Sequence, residues 1–177
     1  LALIVIGTVL LSLPIATIQP ISILAAAFTA TSAVTVTGLN VVDTANYTTF
    51  GQLVIAALIQ FGGLGFMTFA ILVLASLQGK MGLSGSITAQ EALGTHSNQI
   101  GSTAKAVIKI AFITESLGFL GLTLLLAPLK GLKDAMYEAF FLCISAFNNA
   151  GFALNGNNMT AYVHQPMISF IISLLII

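Results

Sequence analysis

Two short stretches carry the residue types from which chemistry could be built. They are "TVTG", Thr35 to Gly38, and "NNAG", Asn148 to Gly151. Each follows a short apolar run and places a glycine after hydroxyl, amide or small apolar residues. The side chains differ between the two while the glycine stays, as a site made of backbone would tolerate. Glycine permits the backbone angles that turn successive carbonyls to one side. Such carbonyls can replace the hydration shell of a cation. A short helix ending just before them points the negative end of its dipole, about half a charge, at the same place. The expected ion-binding set is therefore Thr35, Val36, Thr37, Gly38 and Leu39 with Asn148, Asn149, Ala150, Gly151 and Phe152. Asp43 lies just beyond the first set, where a carboxylate at a pore mouth would concentrate cations.

Other polar residues admit more than one role. Glu115 stands near the middle of an apolar segment, and an intramembrane carboxylate is a functional candidate. It lines an ion path, meets a cation elsewhere, or hydrogen-bonds neighbouring helices. Asn148 and Asn149 either reach the ion or brace the loop. Glu138 is expected to face an aqueous vestibule, with capping near a positive helix end as the ordinary alternative. "GGLG", with Gly62, Gly63 and Gly65, reads as close helix packing or as a hinge. Lys105 and Lys109 are expected to snorkel to an interface. His96 and His164 are isolated, so no metal site is expected. Cys143 lies in an apolar run and reads as packing.

The elements that must position these residues belong in a bilayer. Of 177 residues, 58% are hydrophobic and only 6% charged, and the mean hydropathy is +1.07. A soluble domain carries roughly 25% charged residues. Asp43 is the only charge between Leu1 and Gly79, and the net charge is zero. The missing basic cluster argues against nucleic acid. The chain begins at Leu1 and ends within "MISFIISLLII", and it reads as a fragment of a longer membrane protein without a recognisable leader.

Hydropathy predicts an outer helix over 1–18, a short helix over 20–34 opening at Pro20, the loop 35–39, and an inner helix over 51–77. Residues 79–103, rich in Gly, Ser and Thr, are expected to form a cytoplasmic loop. The order then recurs: an outer helix over 104–127 followed by Pro128, a short helix over 133–147, the loop 148–152, and a truncated inner helix from Pro166. An offset of 113 residues carries Gly38 onto Gly151, Ala26 onto Ala139, Phe28 onto Phe141, Ser32 onto Ser145 and Gln52 onto Gln165. Residues 1–78 and 104–177 are thus expected to be two copies of one unit. Non-helical backbone at membrane depth is tolerated only inside protein or along a water-filled path, so the paired loops point to a lined path.

Helix, pore helix, filter loop, helix is the unit of potassium channels. On "TATSAVTVTGLNVVDT", "QFGGLGFMT" and "SAFNNAGF" the chain resembles the Trk/Ktr/HKT superfamily of cation transporters, and within it the Ktr membrane subunits. The resemblance implies an all-α integral membrane protein of the plasma membrane, with four channel-like units in pseudo-fourfold array around one pore. It implies uptake of K+, with Na+ as a possible coupling ion and no organic cofactor. It implies a homodimer and a cytosolic nucleotide-binding regulatory subunit, a KtrA-like ring. A Trk- or HKT-type transporter is the near alternative. An intramembrane enzyme would need paired carboxylates, and Glu115 alone lies within a span. A neutral-solute channel is disfavoured because neither loop resembles an Asn-Pro-Ala signature.

Overall fold

The computed structural model describes residues 1–79, 92–156 and 158–177. Six helices follow one another: α1 (Ala2–Leu11), α2 (Ile23–Val34), α3 (Thr49–Gly79), α4 (Ala92–Lys130), α5 (Leu132–Phe147) and α6 (Pro166–Ile176). Short 3-10 turns lie at Thr44–Asn46 and Asn158–Tyr162. Among the described residues the only extended pairing is an isolated bridge between Thr17 and Tyr47.

Two helices are long and apolar enough to cross a bilayer, over Thr49–Ile71 and Ala104–Lys130. Their 23 and 27 residues rise about 35–40 Å, against a hydrocarbon core of about 30 Å. Most of each apolar window is unburied, so neither helix is the hidden core of a water-soluble domain.

Helix ends follow local chemistry. α2 starts three residues later than expected, because the Ser22 hydroxyl caps it by accepting from the Ala25 N–H at 3.2 Å. Pro20 therefore stands ahead of the helix and is not its first residue. α1 stops at Leu11, well short of residue 18, since Pro14 lacks an N–H and disfavours helical backbone before it. The freed residues join the chain ahead of α3: Ile18 N–H donates to Asn46 O at 2.9 Å, and Thr48 N–H to Ala16 O at 3.0 Å.

The expected loop over 79–103 is corrected in part. Residues 80–91, with Lys80 and Glu91, lie outside the described residues. From Ala92 onward the backbone is already helical. Glycine costs a helix only about 1 kcal/mol, and no proline intervenes before Pro128. Pro128 itself sits in the last turn of α4, three residues short of Gly131 at φ +85°, and does not end the helix.

The chain divides into two compact units, Leu1–Gly63 with Thr114–Ile177, and Leu64–Ile113. The second comprises the later part of α3 and the earlier part of α4 and exposes Phe66, Phe69 and Ile110. The first holds two apolar cores. One gathers Leu11, Ala30, Tyr47, Ile59, Phe141 and Phe152, and the other Leu122, Leu126, Ala139, Cys143, Ile168 and Leu175. Cys143 is buried and free, as packing requires.

Glycines set the helix spacing. A Cβ on Gly7 would stand 2.6 Å from Leu58 Cδ1, and one on Gly121 would stand 3.0 Å from Ile171 Cδ1. Leu58 and Ile171 are 113 residues apart and Gly7 and Gly121 are 114 apart, so α1 meets α3 through a glycine much as α4 meets α6. In "GGLG", a Cβ on Gly62 would overlap the Val34 carbonyl at the end of α2, and one on Gly63 would overlap the Asn148 side chain after α5. Both glycines are packing positions, whereas nothing described lies within 4 Å of a Cβ on Gly65.

Gly62→Ala is therefore expected to destabilise the protein by about 1–3 kcal/mol, as overpacking against backbone does. Gly65→Ala should be neutral or slightly stabilising. Thermal melting of the two purified variants in one detergent checks the contrast. Equal melting temperatures would refute it.

Candidate functional site

α2 and α5 end in the same way. At Thr35 and Asn148 the backbone is still near-helical, with φ −88°, ψ 2° and φ −84°, ψ 3°. The next residues, Val36 and Asn149, turn left-handed at φ 52° and φ 56°. Thr37 N–H then reaches back to Ser32 O at 2.9 Å and Val36 N–H to Ala33 O at 3.3 Å. In the second copy Ala150 N–H reaches Ser145 O at 2.7 Å and Asn149 N–H reaches Ala146 O at 3.0 Å. Every donor and acceptor moves by 113. This is the Schellman closure of a helix C-terminus. Two residues after each left-handed step comes a left-handed glycine, Gly38 at φ 80° and Gly151 at φ 72°. Asparagine tolerates such a φ, but β-branched Val36 does so only under strain.

The loops abut one another. A Cβ on Gly38 would stand 2.6 Å from Ala150 O and 3.3 Å from Gly151 Cα. A Cβ on Gly151 would stand 3.5 Å from Gly38 Cα, an ordinary contact. Among the described residues, no backbone N–H outside the helices donates to the carbonyls of Thr35–Leu39 or Asn148–Gly151. Phe152 differs, since its carbonyl accepts from the buried Ser145 hydroxyl at 2.6 Å. A polar cavity of about 80 Å³ is lined by Gly38, Asn40, Asp43, Gly151 and Asn155 among others. Asp43 is exposed and thus shares one cavity with both glycines.

The asparagines brace the second loop. Asn148 Nδ2 donates to Ile144 O at 2.9 Å and to Gln60 Oε1 at 2.8 Å, and Asn149 Nδ2 to Ile176 O at 3.3 Å. In the first loop the Thr35 hydroxyl bonds Thr31 O at 2.8 Å and pairs with the Thr37 hydroxyl at 2.7 Å. Glu115 accepts from Gln60 Nε2 at 3.0 Å. This is a hydrogen bond to a neighbouring helix, while its Oε1 is buried without a hydrogen-bond partner among the described residues.

Glu138 corrects its expectation. It is buried at 6% exposure and does not face an open vestibule. Its Oε2 meets Lys130 Nζ at 2.6 Å, and its Oε1 accepts from Asn155 Nδ2 at 2.7 Å and from the Tyr162 hydroxyl. Lys130 Nζ also lies 5.2 Å from the Tyr162 ring centroid. The segment after the second loop folds back over the first turns of α5 and covers the carboxylate. Asp134, by contrast, is exposed in the first turn of α5, where the helix dipole favours it.

The first copy achieves the same closure without charge. Buried Tyr47 donates its hydroxyl to Thr29 on α2 at 3.1 Å, and Gln52 Nε2 donates to Thr44 O at 3.1 Å. Tyr137 on α5 donates to Gln52 Oε1 at 2.8 Å, crossing between the copies. Burial pushes both the Tyr47 and Tyr162 phenols up, so each stays a neutral donor.

Sequence reading missed Gln60, Lys130, Asn155 and Tyr162. Only Gln60, a lone amide in an apolar helix, carried a readable signal. His164 is exposed, and the His96 side chain lies outside what the structure describes. Among the described residues no three His, Cys, Asp or Glu side chains come together as metal ligands.

Tyr162→Phe should cost about 1–2 kcal/mol by leaving the carboxylate short of a donor. Glu138→Leu should cost more, because Lys130, only partly exposed, loses its partner. Melting temperatures of the purified variants test this order, and wild-type stability in Glu138→Leu would refute the role of the pair.

The sequence is similar to that of known cation transport proteins. The family described as TrkH, cation transport protein, matches residues 1–177. Ktr system potassium uptake protein B of Bacillus subtilis is 46% identical over 177 residues, covering 98% of this chain and 40% of that protein. The Vibrio alginolyticus protein of the same name is 40% identical over 166 residues, covering 93% of this chain and 36% of that protein. The potassium/sodium uptake protein NtpJ of Enterococcus hirae is 36% identical over 156 residues, covering 86% of this chain and 34% of that protein. The chain thus spans 40% or less of the length of each of these relatives. With a family match over its whole length and helices suited to a bilayer, the chain belongs to the TrkH family of cation transport proteins.

Proposed function

We propose that this chain supplies two of the filter loops of a potassium uptake transporter in the plasma membrane. α2 and α5 act as pore helices, Thr35–Leu39 and Asn148–Phe152 as the loops, and Asp43 as a charge at the outer mouth. The observation that carries this reading is the repeated loop itself. Two helix C-termini, each with the same left-handed step and left-handed glycine, bring to one place carbonyls that have no backbone donor among the described residues. A dehydrating cation needs such oxygens, and two helix ends add about half a negative charge each. The Bacillus and Vibrio relatives, named as potassium uptake proteins, support K+ as the transported ion.

The carbonyl of Phe152 is engaged by Ser145, so in the second loop Asn148–Gly151 carry the coordination. In the complete transporter further loops would close the ring, in pseudo-fourfold array. Assembly as a homodimer with a KtrA-like nucleotide-binding ring, and dependence on Na+, belong to the same proposal. The Ktr names of two relatives and the potassium/sodium name of the third support it.

The two glycines are not equivalent, and this gives the test. Serine at either position meets a left-handed φ, which costs an L-residue about 1–2 kcal/mol. At Gly38 it also meets the Ala150 carbonyl. In the complete protein, Gly38→Ser should raise the KM for K+ uptake more than Gly151→Ser, with both variants present in the membrane at normal levels. Wild-type kinetics and ion preference in both would refute the filter assignment.

A further inference from the structure

Glu115 stands in α4, Gln60 in α3 and Asn148 at the end of α5, and a single hydrogen-bonded chain joins them. We propose that Glu115 is a positioning residue for the second loop: through Gln60 it sets the Asn148 amide, and with it the cation preference of Asn148–Gly151. The inference rests on reading that loop as a filter.

The chain has a direction. Gln60 Nε2 donates to the Glu115 carboxyl at Oε2, at 3.0 Å, which fixes the orientation of the Gln60 amide. The Oε1 of Gln60 must then face the other way, where it accepts from Asn148 Nδ2 at 2.8 Å. The second hydrogen of Nδ2 goes to Ile144 O, the last turn of α5, at 2.9 Å. Both donors of Asn148 are thereby assigned. A flipped Gln60 would set one NH2 group against another.

The amide has no slack on its other side. Asn148 is 4% exposed, and its Oδ1 lies where a Cβ on Gly63 would be. It is buried and has no hydrogen-bond partner among the described residues. Asn148 is also the residue from which the backbone steps into the left-handed turn at Asn149. On this proposal, rotation of its side chain shifts where the following carbonyls stand.

The first loop has no such device. The offset of 113 puts Ala2 in the place of Glu115 and Thr35 in the place of Asn148. Among the described residues the Thr35 side chain bonds Thr31 and Thr37, within its own turn. Control by a carboxylate on an outer helix thus belongs to the second loop alone.

The test uses the complete protein in a bacterial strain deficient in potassium uptake. KM and maximal rate are measured for K+ and for Na+, with membrane abundance from an immunoblot. Glu115→Leu should raise the KM for K+ about fivefold, the factor matching loss of one buried hydrogen bond, and weaken preference for K+ over Na+. Glu115→Gln keeps an oxygen that accepts from Gln60 and should stay near wild type. Glu115→Leu added to Asn148→Ala should do no more than Asn148→Ala alone, since both cut one chain. If Glu115→Leu does not reach the membrane, Gln60→Leu must show the same change in KM and preference. A lowered rate or abundance with KM and preference unchanged, in whichever variant reaches the membrane, overturns the proposal. So does a fully additive double variant. If Gly38→Ser alters KM while Glu115→Leu and Gln60→Leu do not, the relay falls and the filter stands. Wild-type kinetics in both glycine variants would instead remove the filter reading on which the relay depends.

Discussion

α2 and α5 each end with backbone groups that the helix itself cannot pair. A backbone group shut away from water without a partner costs about as much as a lost hydrogen bond. The Schellman turn meets this constraint in both places, using Thr37 and Val36 in one and Ala150 and Asn149 in the other. Its requirement is a left-handed residue just past the helix. Asparagine meets that requirement readily. Val36 meets it at a cost of about 1–3 kcal/mol for a strained backbone. Once the turn is made, the chain leaves at a set angle, and the glycine two residues on completes the reversal. The positions of the free carbonyls, of Asp43 and of the abutting glycines all follow from that closure.

The two copies share backbone geometry and differ in how they are fastened. In the first, a neutral tyrosine–threonine bond and a short bridge hold the segment after the loop. In the second, a buried ion pair, a tyrosine and an asparagine do so. A buried ion pair must overcome the desolvation of both charges, which is why Glu138 has three partners and Lys130 remains partly exposed. Ser145 holds the Phe152 carbonyl, while the matching Ser32 hydroxyl is buried with no such bond among the described residues. The second loop is thus fixed at both its ends, and the first is held mainly by its own turn.

The two matching turns were legible because they are written in backbone-determining residues. Gly38 and Gly151, with Ser32 and Ser145 ahead of them, mark equivalent turns whatever the side chains between. Helix ends were less legible. Capping by Ser22 and the early stop at Leu11 depend on single local bonds that hydropathy does not register. The polar run after Ala92 reads as a loop but folds as helix, because composition speaks of solvent and not of backbone shape. The covering of Glu138 could not be read, since it depends on a segment more than fifteen residues away folding back. Glu115 was recognised as unusual from its setting. Its partner was hidden by a separation of 55 residues.

Adjacent glycines on α3 touch the ends of both short helices, Gly62 at Val34 and Gly63 at Asn148. Neighbours on a helix differ by about 1.5 Å along the axis and about 100° around it. α3 therefore serves as a common gauge, holding the two loops at nearly one level while directing them to different sides. Sliding α3 along its axis would carry both loops together and keep them level. Turning it about its axis would move them apart. Rotation and translation of this one helix thus have opposite consequences for how far apart the two loops stand.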